Sequence, residues 1–88
     1  MESISIKLMN EEGLHARPAA IFVQVASKFS SDIWLEAHGT KVDGKSIIGI
    51  MSLGAFHGEE IIISTKGIDS KEALEALNDL VQNEFKVI

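Results

Sequence analysis

This 88-residue chain contains no cysteine and no tyrosine. Without cysteine there is no disulfide framework, no thiolate metal site and no cysteine nucleophile, which fits a reducing, cytoplasmic setting. Basic charge is scarce: eight Lys and Arg stand against thirteen Asp and Glu, a net charge of −5. The basic residues are scattered, which argues against a nucleic-acid partner, since phosphate backbones require a basic patch. No apolar run reaches the length of a membrane span, so no membrane insertion is expected. The N-terminus, Met1-Glu2-Ser3-Ile4-Ser5, lacks the basic and apolar regions of a signal peptide. A chain of this length is expected to form one domain over 1–88 that buries roughly 60–65% of its unfolded surface. One core fits and an enclosed catalytic cleft does not, so any chemistry is expected at the surface.

What the chain does have is clear periodicity. Ile4, Ile6 and Leu8 alternate with Ser3, Ser5, Lys7 and Met9, the period of a half-buried strand. The polar stretch from Asn10 to Gly13 ends it. Ala16 to Lys28 reads as a helix with Ala19, Phe22, Val23 and Ala26 on one face and Pro18 in its first turn. Asp32 to Ala37 reads as a strand, His38-Gly39 as a turn, and Thr40 to Val42 as the antiparallel return, closed by Asp43-Gly44. Ser46 stands as the N-cap of a short helix over Ile47 to Leu53, and Gly54 as its stop. Gly58 opens a strand over Glu59 to Thr65, and Gly67 closes it. Asp69 with Glu72 has the form of a capping box before a last helix, whose apolar stripe is Ala73, Leu74, Leu77, Val81 and Phe85. Strand, helix, strand, strand, short helix, strand, helix suggests an α+β sandwich, with one antiparallel sheet and helices on one face. Ferredoxin-like βαββαβ units share much of this order, and order alone assigns no function.

The informative stretch is Gly13-Leu14-His15-Ala16-Arg17-Pro18-Ala19. It places a histidine at a helix N-cap behind a glycine turn, with an arginine in the first helical turn. The N–H groups of that turn have no intrahelical partner, and the macrodipole adds partial positive charge, so the position favours a phosphate. Arg17 adds a planar fork suited to phosphate oxygens, although an arginine there opposes the dipole. Neutral imidazole is a nucleophile. Even so, a lone histidine before a helix is more often a tolerated cap than a reactive group, and these residues alone leave both readings open.

The local words add more. Gly13 to Ala19 resembles the active-site signature of HPr, the histidine-containing phosphocarriers of the phosphoenolpyruvate:sugar phosphotransferase system. Lys45-Ser46-Ile47-Ile48-Gly49-Ile50-Met51-Ser52-Leu53-Gly54 resembles the regulatory-serine segment of the Gram-positive branch, at the matching separation. The resemblance implies an HPr-like open-faced sandwich: a four-stranded antiparallel sheet with three helices on one face, βαββαβα. It implies a phosphoryl carrier rather than an enzyme: Nδ1 of His15 accepts the group from enzyme I and donates it to a histidine of enzyme IIA. Arg17, with the backbone at Ala16 and Arg17, would hold the phosphate. Ser46 would be the target of an HPr kinase/phosphorylase, its phosphorylated form binding a catabolite-control repressor. Leu14, Ile47, Ile48 and Met51 would form the partner-docking surface, and the carrier would be a monomer.

No cofactor and no metal on the carrier is implied, and the sequence shows no triad, nucleotide loop or zinc pattern. A purely regulatory module acting through Ser46 is the alternative, and a small-molecule sensor domain is a third reading. The intact His15–Arg17 block separates the carrier from both. Departures from the family pattern are Ile48 where methionine is common, Glu12 where a small polar residue is common, and the Phe56-His57 pair. His38 and His57 are expected in solvated turns. Glu11-Glu12 and Glu59-Glu60 are expected to be solvated loop charge.

Overall fold

The computed structural model describes residues 1–86. Its elements are β1 (Glu2–Lys7), α1 (Ala16–Ala26), β2 (Asp32–Ala37), β3 (Thr40–Asp43), α2 (Ile47–Ser52), β4 (Glu60–Lys66) and α3 (Ser70–Gln82). The four strands form one antiparallel sheet in the order β1-β4-β2-β3. The strand alternation decides which residues are covered. Ile6 and Leu8, Ile33 and Leu35, and Ile61 and Ile63 are buried beneath Ala19 and Phe22 of α1, Ile50 of α2 and Leu77 of α3. The opposite face carries Ser3, Ser5 and Lys7, Ile62 and the half-buried Trp34, on which Lys41 Nζ lies 5.6 Å from the ring centroid. The expected open-faced α+β sandwich, βαββαβα, is therefore the fold.

Inserting β4 between β1 and β2 positions the functional surface. It lays the end of β1 beside the start of β4: Leu8 N–H donates to Glu59 O (2.9 Å) and Gly58 N–H to Leu8 O (2.6 Å). The loops that follow β1 and precede β4 are thereby held together.

Several boundaries differ from the sequence reading. The β1 ladder ends at Lys7 rather than Met9, and β4 starts at Glu60 rather than Glu59. Helix α1 stops at Ala26, because residues 27–29 tighten: Lys28 N–H bonds Val25 O and Phe29 N–H bonds Ala26 O. Phe85 is buried but not helical. Helix α3 ends in a Schellman motif, with Phe85 N–H to Leu80 O (2.9 Å) and Glu84 N–H to Val81 O (3.0 Å). Glu84 and Phe85 take φ of 55° and 61°, where glycine is usual. With no glycine to mark it, the turn was invisible in the sequence, and Leu80, its contact residue, was missed.

The capping box at Asp69 does not form. Asp69 is the N-cap of α3, but its side chain makes no cap hydrogen bond. Its carboxylate reaches the α1–β2 turn and accepts from Ser30 N–H (2.9 Å), Ser31 N–H (2.9 Å) and the Ser31 hydroxyl. A long-range clamp with more donors has displaced a local one. The Ser31 hydroxyl first, and then the Ser30 N–H, hold the Asp69 carboxyl below its ordinary pKa.

Candidate functional site

The loop between β1 and α1 is a closed turn. Gly13 N–H donates to Asn10 O (3.2 Å), and the Asn10 side-chain amide donates back to Gly13 O (2.8 Å). Gly13 has φ +61°, and a Cβ there would lie 2.5 Å from Ala55 O and 2.8 Å from Phe56 Cα. Only glycine fits so close an approach. Leu14 N–H then bonds Ala55 O (3.0 Å), and the Leu14 side chain, 3% exposed, is part of the core. This corrects the expectation of Leu14 as a docking residue: its side chain anchors the loop inward and presents nothing to a partner.

His15 follows as an exposed N-cap in extended conformation (φ −79°, ψ −173°). Its carbonyl accepts from Ala19 N–H (2.9 Å), which starts α1. Its imidazole makes no cap hydrogen bond, so the ring is not spent on holding the helix. In the first turn Pro18 has no N–H, which leaves Ala16 and Arg17 as the donors that point out of the helix end. No acidic side chain lies in that turn. Arg17 is exposed and lines an open groove of about 400 Å³, with Glu11, Glu12, Ile21 and Glu84 among its walls. His15 is not among the walls of that groove. At the helix end itself the exposed imidazole and the outward N–H groups form an arrangement that can accept a tetrahedral oxyanion, with Arg17 exposed in the same first turn.

Helix α2 packs against α1. Ser46 caps it, its hydroxyl accepting from Gly49 N–H (3.1 Å). Ile50 and Leu53 face the core, while Ile47, Ile48 and Met51 are 41%, 82% and 40% exposed. Those three are therefore available at the surface, Ile48 most fully. Lys45 Nζ donates to Phe29 O (2.8 Å), tying the start of α2 to the end of α1.

The segment after α2 was the least legible. Phe56 is 67% exposed. His57 Nδ1 lies 3.3 Å from Asn10 O and must donate, since a carbonyl only accepts. Glu59 is not simple solvated charge. It accepts from Phe56 N–H (2.6 Å) and pairs with His38 Nε2 (2.5 Å), and the His38 bond first and the Phe56 bond second lower its pKa. Asn10, 6% exposed, was also missed, because nothing in the sequence marks a polar loop residue as buried. Among the described residues no cluster of His, Asp and Glu could hold a metal ion.

A family model described as "PTS HPr component phosphorylation site" matches residues 2–83. Among solved structures, HPr-C-His from Thermoanaerobacter tengcongensis is 50% identical, with all of both chains covered and a TM-score of 0.94. Phosphocarrier protein HPr from Bacillus anthracis str. Ames is 48% identical over 92% of this chain and 96% of its own, with a TM-score of 0.88. Crh, the catabolite repression containing protein of Bacillus subtilis, described as a domain-swapped dimer, is 45% identical over 99% of this chain and 100% of its own, at 0.77. The architecture, an open sandwich that offers a histidine at a helix end, is thus that of the HPr-type sandwiches. The chain belongs to the HPr family of the phosphotransferase system.

Proposed function

We propose that this chain is a phosphoryl carrier that shuttles between two protein partners through His15. The reading rests on one observation: His15 stands exposed at the N-cap of α1, its ring free of any capping bond, before the outward N–H groups of Ala16 and Arg17. The Nδ1 lone pair attacks the phosphorus of enzyme I phosphohistidine. The donor P–N bond breaks as the new one forms, and the group leaves again by the reverse chemistry to a histidine of enzyme IIA. Arg17 and the two N–H groups balance the phosphoryl charge. The chain is a co-substrate without turnover of its own. It works in the cytoplasm as one domain over 1–88 and as a monomer that releases each partner.

Ile47, Ile48 and Met51 supply the docking surface. Ser46 is read as the regulatory site: an HPr kinase/phosphorylase modifies it, and the product binds a catabolite-control repressor. The alternative, a regulatory module working through Ser46 alone, draws support from the likeness to Crh.

The test is incubation of the full chain with phosphoenolpyruvate, Mg²⁺ and enzyme I, read by intact mass before and after acid, with His15→Ala in parallel. One acid-labile phosphoryl group on the parent and none on the variant is the expected result. No incorporation, with a competent control carrier in the same tube, overturns the carrier reading and moves the Ser46 reading into first place. Light scattering on the same samples gives the oligomeric state.

A further inference from the structure

We infer that Asn10 is a positioning residue for phosphoryl transfer, acting on His15 through the closed turn of residues 10–13; this rests on the carrier reading above. Asn10 sits at the head of that turn and is nine-tenths buried, an unusual place for an amide with no charged partner. Its main chain and its side chain act on the same residue. The carbonyl takes the Gly13 N–H at 3.2 Å, and Nδ2 gives a hydrogen bond to Gly13 O at 2.8 Å. Both polar groups of a buried glycine at φ +61° are thus fixed by one side chain and its own backbone. The His57 ring adds a third bond, to the same Asn10 carbonyl.

The consequence falls on the next two residues. Leu14 is pinned by its N–H on Ala55 O and by its buried side chain, and His15 leaves the turn directly into the helix end. The His15 imidazole makes no cap bond. The backbone that precedes His15 therefore fixes where its Cα–Cβ bond leaves the helix end, and so the arc the ring can sweep before the Ala16 and Arg17 N–H groups, and that backbone is closed by the Asn10 amide. A misplacement of about 1 Å at a reacting centre is enough to cost roughly a hundredfold in rate. A nucleophile that must meet two different partners in one geometry gains from such a closed turn.

Asn10→Asp is nearly isosteric but turns the donor facing Gly13 O into an acceptor, and so opens the turn. Asn10→Ala removes the donor without the repulsion. Phosphoryl transfer from phosphorylated enzyme I should fall in the order parent, Ala, Asp, with the Asp variant at least tenfold slower at saturating carrier and its KM within twofold of the parent. The ¹⁵N shifts of the His15 ring should move with it. Asp69→Asn, which loosens a clamp away from this turn, is the control for lost stability. All rates are measured at a temperature at which circular dichroism shows every variant folded.

A folded Asn10→Asp chain with parental rate and parental His15 ring shifts overturns the inference, as does a loss no larger than that of Asp69→Asn. Should Asn10→Asp not fold, Asn10→Ala carries the same comparison. Failure of the parent to take up phosphoryl sinks the carrier reading instead, a result distinct from parental rates in the variants.

Discussion

Replacing Gly13 with alanine exposes two costs that a single companion variant separates. Gly13 and Gly54 have nearly the same backbone, φ +61° and +62°, but different surroundings. A Cβ on Gly54 meets nothing within 4 Å, whereas one on Gly13 meets Ala55 O at 2.5 Å and Phe56 Cα at 2.8 Å. Both substitutions carry the left-handed cost of an L-residue, roughly 1–2 kcal/mol. Only Gly13→Ala must also push two backbone segments apart. Neither contact is the end of a flexible side chain, so the first casualty is the Leu14 N–H bond to Ala55 O. Losing that bond and stranding its buried donor adds about 1–3 kcal/mol. For a chain of this size each kcal/mol moves Tm by about 4–8 °C, so Gly13→Ala should melt about 4–24 °C below Gly54→Ala. Urea titration of both variants gives the difference directly. Equal losses, within about 0.5 kcal/mol, would show that the loop yields freely and would remove the steric argument for glycine at this position.

The remaining stability predictions use the same assay. Ile50→Ala should cost about 2–5 kcal/mol because the side chain is fully buried, whereas Ile48→Ala, on a side chain that is 82% exposed, should stay within about 0.5 kcal/mol while raising the KM for carrier; the reverse pattern would put α2 on the wrong face. For Asp69 the folded pKa lies below the ordinary 3.8, so its stabilisation is present above that value and is lost as pH falls through the lower folded value. Asp69→Asn should thus be less stable than the parent at neutral pH, with the gap closing under acid below about pH 4; a gap independent of pH refutes the clamp.

Local pattern reached most of the fold because most of it is local. Period two in Ser3 to Met9 and the apolar face of α1 needed only neighbours in sequence to be read. The misses have a common cause. Asp69 carries the local signature of a cap, yet its carboxylate goes to Ser30 and Ser31, 39 and 38 residues away. Leu14 and His15 are adjacent and look alike as loop residues, but a bond from Leu14 to Ala55 turns one inward and leaves the other exposed. Glu59 looks like loop charge until the β2–β3 turn brings His38 against it. Each depends on which strand lies beside which, and the β1-β4-β2-β3 order is not written in any local window. The helix-end positions of His15, Arg17 and Ser46 were legible because a helix start is itself a local feature.

The same topology bears on how Ser46 could act on His15. Lys45 bonds Phe29 at the end of α1, while Ala55, just past α2, bonds Leu14 at its start. The two helices therefore run antiparallel, and Ser46 lies at the end of α1 away from His15. By helix rise the separation is on the order of 10–16 Å. Across such a gap in water a dianion interacts with a unit charge by about 0.6 kcal/mol, which physiological salt reduces to about 0.1 kcal/mol. A charge at Ser46 is thus too weak to alter transfer chemistry at His15 directly. It does adjoin Ile47 and Ile48, the apolar surface a partner must cover, where burying a charge is costly. Ser46→Asp should therefore raise the KM for carrier in phosphoryl transfer from enzyme I and leave the rate at saturating carrier within about twofold of the parent, since only docking is affected. A large fall in the saturating rate with KM unchanged would mean that the serine communicates with the histidine through the fold, and the docking argument would fail.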